Sequence, residues 1–274
     1  MTAPVGTASG APRPGQPETA PPASRPGQPQ TAPGAPTDPG RSGPLLPPGG
    51  LLAGPRGEGA TPLTLGVTAG LVGGYRWIEQ ALCELLGGWV TDIALPAVQV
   101  HLDAQAARHA WHAELWGDRL PVLAGVDPDG LTRPPEPALG VLSALAGAVA
   151  LPPVGTSGRS WPPLERDGAG SGPAALPRLA GLYRVVIPRL VVSYGIHLRA
   201  TSWVADQAVA RTLRLVLADE IEDWQVGEQL VQRLVTRPHD VDAVGTFVRE
   251  LETVVVAAPL SSGLVRFPDG FDGL

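Results

Sequence analysis

The chain has 274 residues and a formal charge of −6, with 26 acidic residues against 20 basic ones, all of them arginine. An acidic chain without lysine offers no broad cationic surface, which argues against nucleic-acid binding. Cys83 is the only cysteine, so an internal disulfide framework and a thiolate zinc site are excluded.

Residues 1–62 hold 16 of the 32 prolines and no aromatic residue. Such a stretch buries too little apolar surface to offset backbone ordering, and it reads as a disordered arm. Within it Arg13-Pro14-Gly15-Gln16-Pro17 recurs as Arg25-Pro26-Gly27-Gln28-Pro29. This polar duplication suits a tether, with Leu45-Leu46 and Leu51-Leu52 as its only anchors for a protein partner. The N-terminus lacks a basic start and an apolar core of the signal-peptide kind. The longest apolar stretch is taken as Ala138 to Leu151, short of the ~20 residues a bilayer span needs. The expectation is therefore a cytoplasmic protein without a membrane partner. Arginine in place of lysine, with heavy use of Ala, Gly and Pro, suits a high-GC bacterial genome such as an actinomycete's.

From Leu63 onward apolar residues recur at helical spacing. Helix one is predicted over about 64–91, with Leu71, Tyr75, Ile78, Leu82, Leu85 and Trp89 on one side. Gly73-Gly74 and Gly87-Gly88 weaken it by ~1 kcal/mol per glycine, so tertiary packing must hold it. Helix two is predicted from Pro96, a good first-turn residue, to about Arg119. A small helix is predicted within 137–151. Helix three spans about 174–199 with Pro188 inside it, which predicts a kink. Helix four, capped by Ser202, runs to about Val235. A fifth, Val-rich amphipathic helix follows Pro238, and its Val face offers a route to a homodimer. Residues 258–274 read as a tail.

The links set the expected topology. Helices one and two, and three and four, are joined by short connections, which make antiparallel neighbours. The connection over 120–173 is long enough to cross the whole bundle and leave helices two and three parallel. The predicted domain is thus an all-α bundle over 63–257, with one long crossover between helices two and three and an added C-terminal helix.

Polar residues interrupt the apolar stripes, where an unpaired charge is costly. Glu79 lies between Tyr75 and Leu82. His109 and His112 share the side of Leu102 and Trp116. Tyr194 and His197 lie near the end of helix three, and Glu220 sits between Leu217 and Trp224, with Asp223 one turn on. The segment Asp219-Glu220-Ile221-Glu222-Asp223 resembles the fourth-helix Asp-Glu-x-x-His of the ferritin-like superfamily, with Asp223 where that family has His. Together with His109-Ala110-Trp111-His112-Ala113-Glu114-Leu115-Trp116 it resembles an actinobacterial branch of those proteins, over about 64–236. The resemblance implies Glu79 as the lone carboxylate of helix one and a Glu-x-x-His on helix two, where this chain has Ala106-x-x-His109 or His109-x-x-His112. It also implies a Glu on helix three, where only Tyr194 or His197 could stand in.

With those carboxylates missing, the expected function is non-catalytic. It is a structural or interaction protein without a cofactor, whose core polar groups satisfy one another in a network left from a lost metal site. The alternative is a metal-dependent oxidoreductase holding iron, manganese or zinc through Glu79, His109, His112, Glu220 and Asp223.

Overall fold

A computed structural model describes residues 63–122, 124–147, 175–202, 204–257 and 263–268. The expectations for the arm (1–62), for 148–174 and for most of the tail lie outside the described residues. Those residues are 81% helical, in six helices and without a strand, so the all-α reading holds.

α1 (Leu65–Asp92) is capped by Thr64, whose side chain accepts a hydrogen bond from the Val67 amide. α2 (Pro96–Gly117) starts on the expected proline. Three residues join the two helices, and the Gln99 side chain donates to the Val90 carbonyl across the link. A 3-10 turn, Pro128–Leu131, leads to α3 (Glu136–Ala146). The Leu131 carbonyl passes so close to α1 that a Cβ on Gly73 would lie 2.1 Å from its oxygen. That glycine weakens the isolated helix and admits the loop to the folded one.

α4 (Ala175–Ala200) is α-helical over Ala175–Gly181 and Ile187–Ala200, with a π-helical turn, Leu182–Val186, between them. Pro188 lacks an amide proton and its ring crowds the carbonyl of Arg184, so the wider turn just before it takes up the mismatch. By length and composition α4 could cross a bilayer, but 78% of its apolar stretch is buried inside the bundle. This apolar run, interrupted by Arg184, Pro188 and Arg189, is longer than Ala138 to Leu151.

α5 (Gln207–Leu234) begins five residues after Ser202. Ser202 Oγ instead accepts from the amides of Val204 and Ala205 in the preceding turn, so it does not cap the helix. α6 (Pro238–Ala257) lays Val244, Leu251 and Val255 into the core. It is tied to α4 by Arg189 and Glu252, with Nη1 donating to Oε1 at 3.0 Å. Much of the Val face expected to serve a homodimer is therefore covered within the chain. Residues 263–268, read as part of the tail, also pack inward: the Leu264 amide donates to Ser193 Oγ, and Leu264, Val265 and Phe267 are buried.

Side-chain partners give the helix directions. Gln105 on α2 meets Tyr183 on α4, and Trp116 further along α2 stacks on Tyr194 further along α4. Partners rise together, so α2 and α4 run parallel. Arg108 and His112 on α2 meet Asp223 and Asp219 on α5, so those two helices are antiparallel. Tyr183 in the first half of α4 meets Gly227 in the second half of α5, and only 201–206 separate the end of α4 from the start of α5, so these two helices are antiparallel as well.

Gly227 is the tightest of these approaches, since a Cβ there would lie 2.1 Å from the Tyr183 ring. Gly227→Ala must push that ring off its bond to Gln105. The expected cost is ~1–3 kcal/mol, read as a lower urea midpoint. An unchanged midpoint would show that the α4–α5 contact is looser than this.

Candidate metal centre

Side chains from α1, α2 and α5 converge on one buried point. Glu79 stands midway along α1, and three-residue spacing puts His109 and His112 on one face of α2. Glu220 continues the buried stripe of Val216 and Leu217 on α5. All four are fully buried, and one donor atom of each lies within 4.8 Å of the others. His109 Nδ1 is 2.5 Å from Glu79 Oε2 and 3.3 Å from Glu220 Oε1. His112 Nδ1 is 3.6 Å from Glu79 Oε2 and 3.3 Å from Glu220 Oε1. α4 has no carboxylate and supplies Tyr194, whose hydroxyl donates to Glu79 Oε1.

The second nitrogen of His112 is also engaged. Nε2 lies 3.1 Å from Asp219 Oδ2. A carboxylate there favours the proton on Nε2, which leaves Nδ1 of a neutral ring with a lone pair facing the centre. Asp219 is the residue that sequence reasoning quoted but did not assign. It lies off the buried stripe of α5, one quarter exposed, and nothing in the chain's periodicity shows that His112 reaches it.

Hydrogen bonding is uneven within the cluster. Glu79 accepts from Tyr194 on one oxygen and meets His109 on the other. Glu220 lies close to two imidazoles, yet neither of its oxygens has a hydrogen-bond partner among the described residues, and nor have His112 Nδ1 and His109 Nε2. A buried carboxylate in that state is costly without a cation. Glu79 is thus engaged on both oxygens, whereas Glu220 meets the two imidazoles only as charge contacts at 3.3 Å.

Charge compensation shows in the proton affinities. Burial raises the Glu79 pKa, but the two imidazoles outweigh it and bring the carboxyl down to about 2. Burial lowers His112, and the charges of Glu79 and Glu220 reverse this, pushing it up to about 11; His109 is raised for the same reason. Protons on the imidazoles can thus play the part of a cation here, and a metal ion would have to displace them.

Asp223 does not join the four. It is buried, and Oδ1 lies 2.5 Å from the Arg108 guanidinium, a charge contact without hydrogen-bond geometry. Burial lifts its carboxyl to about 7 against the pull of Arg108. His197 is also apart. It is fully buried beside the rings of Tyr75 and Phe267, and neither of its nitrogens has a hydrogen-bond partner among the described residues. Tyr75, Trp116 and Tyr194 form an aromatic cluster beside the carboxylate of Glu79, with centroids 4.7 to 5.6 Å apart. No family model, curated protein or solved structure matches the chain.

His197 gives a pH dependence with a definite sign. Burial pushes its pKa down from 6.5 to about 3, so between those values the unfolded chain binds a proton that the fold does not. Its contribution to stability is complete above pH 6.5 and is lost as pH falls, on the order of 1 kcal/mol per unit. His197→Phe should flatten the difference between urea midpoints at pH 7.5 and pH 5. An equally steep difference in the variant would place the acid sensitivity elsewhere.

Proposed function

We propose that this chain is a ferritin-like bundle holding one divalent transition-metal ion through Glu79, His109, His112 and Glu220. The observation that carries this reading is Glu220, a fully buried carboxylate without a hydrogen bond, facing two imidazole nitrogens and a second carboxylate. Two imidazoles and two carboxylates suit zinc, iron or manganese. The parallel run of α2 and α4, with α5 antiparallel to both, supports the ferritin-like arrangement with its long crossover.

One donor atom of each of the four lies within 4.8 Å of the others, a spacing that suits one ion held among them. Glu79 is held by Tyr194, and His112 is held by Asp219. Bound there, the ion would supply Lewis acidity, or one-electron chemistry if it is iron or manganese. The residues of the chain fix the ligands and keep the surroundings dry. The competing non-catalytic reading draws on Glu79, whose two oxygens are already engaged without any metal. In it the imidazolium protons do the neutralising.

Metal analysis of protein purified without chelator separates the two. The metal-holding reading expects one iron, manganese or zinc ion per chain, lost in Glu220→Ala while helix content is kept. Asp219→Ala should keep the site but weaken it by about 10–100-fold, because His112 loses its orienting partner. A metal-free protein that takes up none of these ions, and whose Glu220→Ala variant is only less stable, would establish the non-catalytic reading.

A further inference from the structure

Beside the two carboxylates of the centre, a third buried one lies three residues along α5 from Glu220. Glu79 and Glu220 are fully buried and Asp223 is 1% exposed. A single divalent ion among the four donors balances Glu79 and Glu220. Asp223, on the same buried face of α5, instead meets Arg108, whose guanidinium comes to its Oδ1. About a third of the Arg108 side chain remains exposed, while its Nε is buried.

The geometry points to Arg108 as a built-in counter-cation that keeps Asp223 out of the donor set and limits the centre to one divalent ion. This inference rests on the metal-holding reading above. Its basis is the contact of the Arg108 guanidinium with Asp223 Oδ1 and the unused carboxylate oxygens beside it on α5.

What it blocks can be read from the unused oxygens. Glu220 Oε2 and Asp223 Oδ2 have no hydrogen-bond partner among the described residues. They belong to residues three apart on the buried face of α5. Without Arg108, the oxygens of Asp223 and the second oxygen of Glu220 would be carboxylate donors for another hard divalent ion beside the first. With Arg108 present, a fixed positive charge already sits against Asp223 and repels one. Arg108 is in this sense a positioning residue for the site and not a ligand.

The experiment is titration of the metal-stripped full chain with manganese(II), with bound ions counted and the electron paramagnetic resonance of the bound fraction recorded. Wild type and Arg108→Lys, which keeps the cation, should bind one ion per chain. Arg108→Gln and Arg108→Ala should bind two, with a signal broadened by coupling between neighbouring ions. Asp223→Asn added to Arg108→Gln should return the count to one. Two ions in wild type would overturn the inference while leaving the metal site standing, as would a count of one in a folded Arg108→Gln. A second ion without coupling lies elsewhere and also overturns it. No binding by wild type removes the metal-holding reading and this inference with it. If neither Arg108 variant folds, the same two wild-type outcomes and Arg108→Lys decide: a second ion in Arg108→Lys overturns the inference, and one ion in both supports it.

Discussion

The burial of Glu220 is the constraint around which the rest of the centre is arranged. A carboxylate removed from water must find hydrogen bonds or a positive charge, and here the backbone cannot help, because the surrounding amides are occupied within helices. The positive charge has to come from within the bundle. His109 and His112 provide it in protonated form, and their raised proton affinities, with the lowered pKa of Glu79, express that demand.

Bundle topology makes that convergence possible. A buried site in a helical bundle needs inward-facing groups from several helices at the same height. The directions read from side-chain partners bring the middle of α1 and α2 level with the first half of α5 and the last third of α4. Tyr194 reaches Glu79 from α4 at this level, and Asp219 supports His112 from α5. The π-helical turn before Pro188 belongs to the same construction. It carries Tyr183, which is pressed against Gly227 and donates to Gln105 at 2.7 Å, one turn before His109 on α2. Strain from a proline is thus relieved where α4 must fit closely between two neighbours.

Much of this was legible in the chain itself. Apolar residues at a 3.6-residue period, Pro96 and Pro238 at helix starts and short links against one long one foretold the helices and the all-α class, because those features act locally. Periodicity also placed Glu79, His109, His112 and Glu220 on buried stripes, since a stripe position is a matter of angle around one helix. Ser202 misled because a serine cannot announce whether it caps a helix or the turn before it. The Val-rich stripe of α6 looks the same in sequence whether a second copy or the chain itself covers it. In the fold Leu251 comes against Gly181 of α4 and Val244 and Val255 are buried, while Val241 stays exposed.

What the sequence by itself determined is therefore the helical class, the helix boundaries to within a few residues and the identity of the polar intruders. Only tertiary structure decided what those intruders do. It brought four of them together, turned Asp223 away to Arg108, set His197 apart beside Phe267 and joined Asp219 to His112. The physical reason is that helix formation depends on neighbours along the chain, whereas compensation of a buried charge depends on which groups other helices bring within a few ångströms. Arg108 and Asp223 are 115 residues apart in the chain and 2.5 Å apart in space.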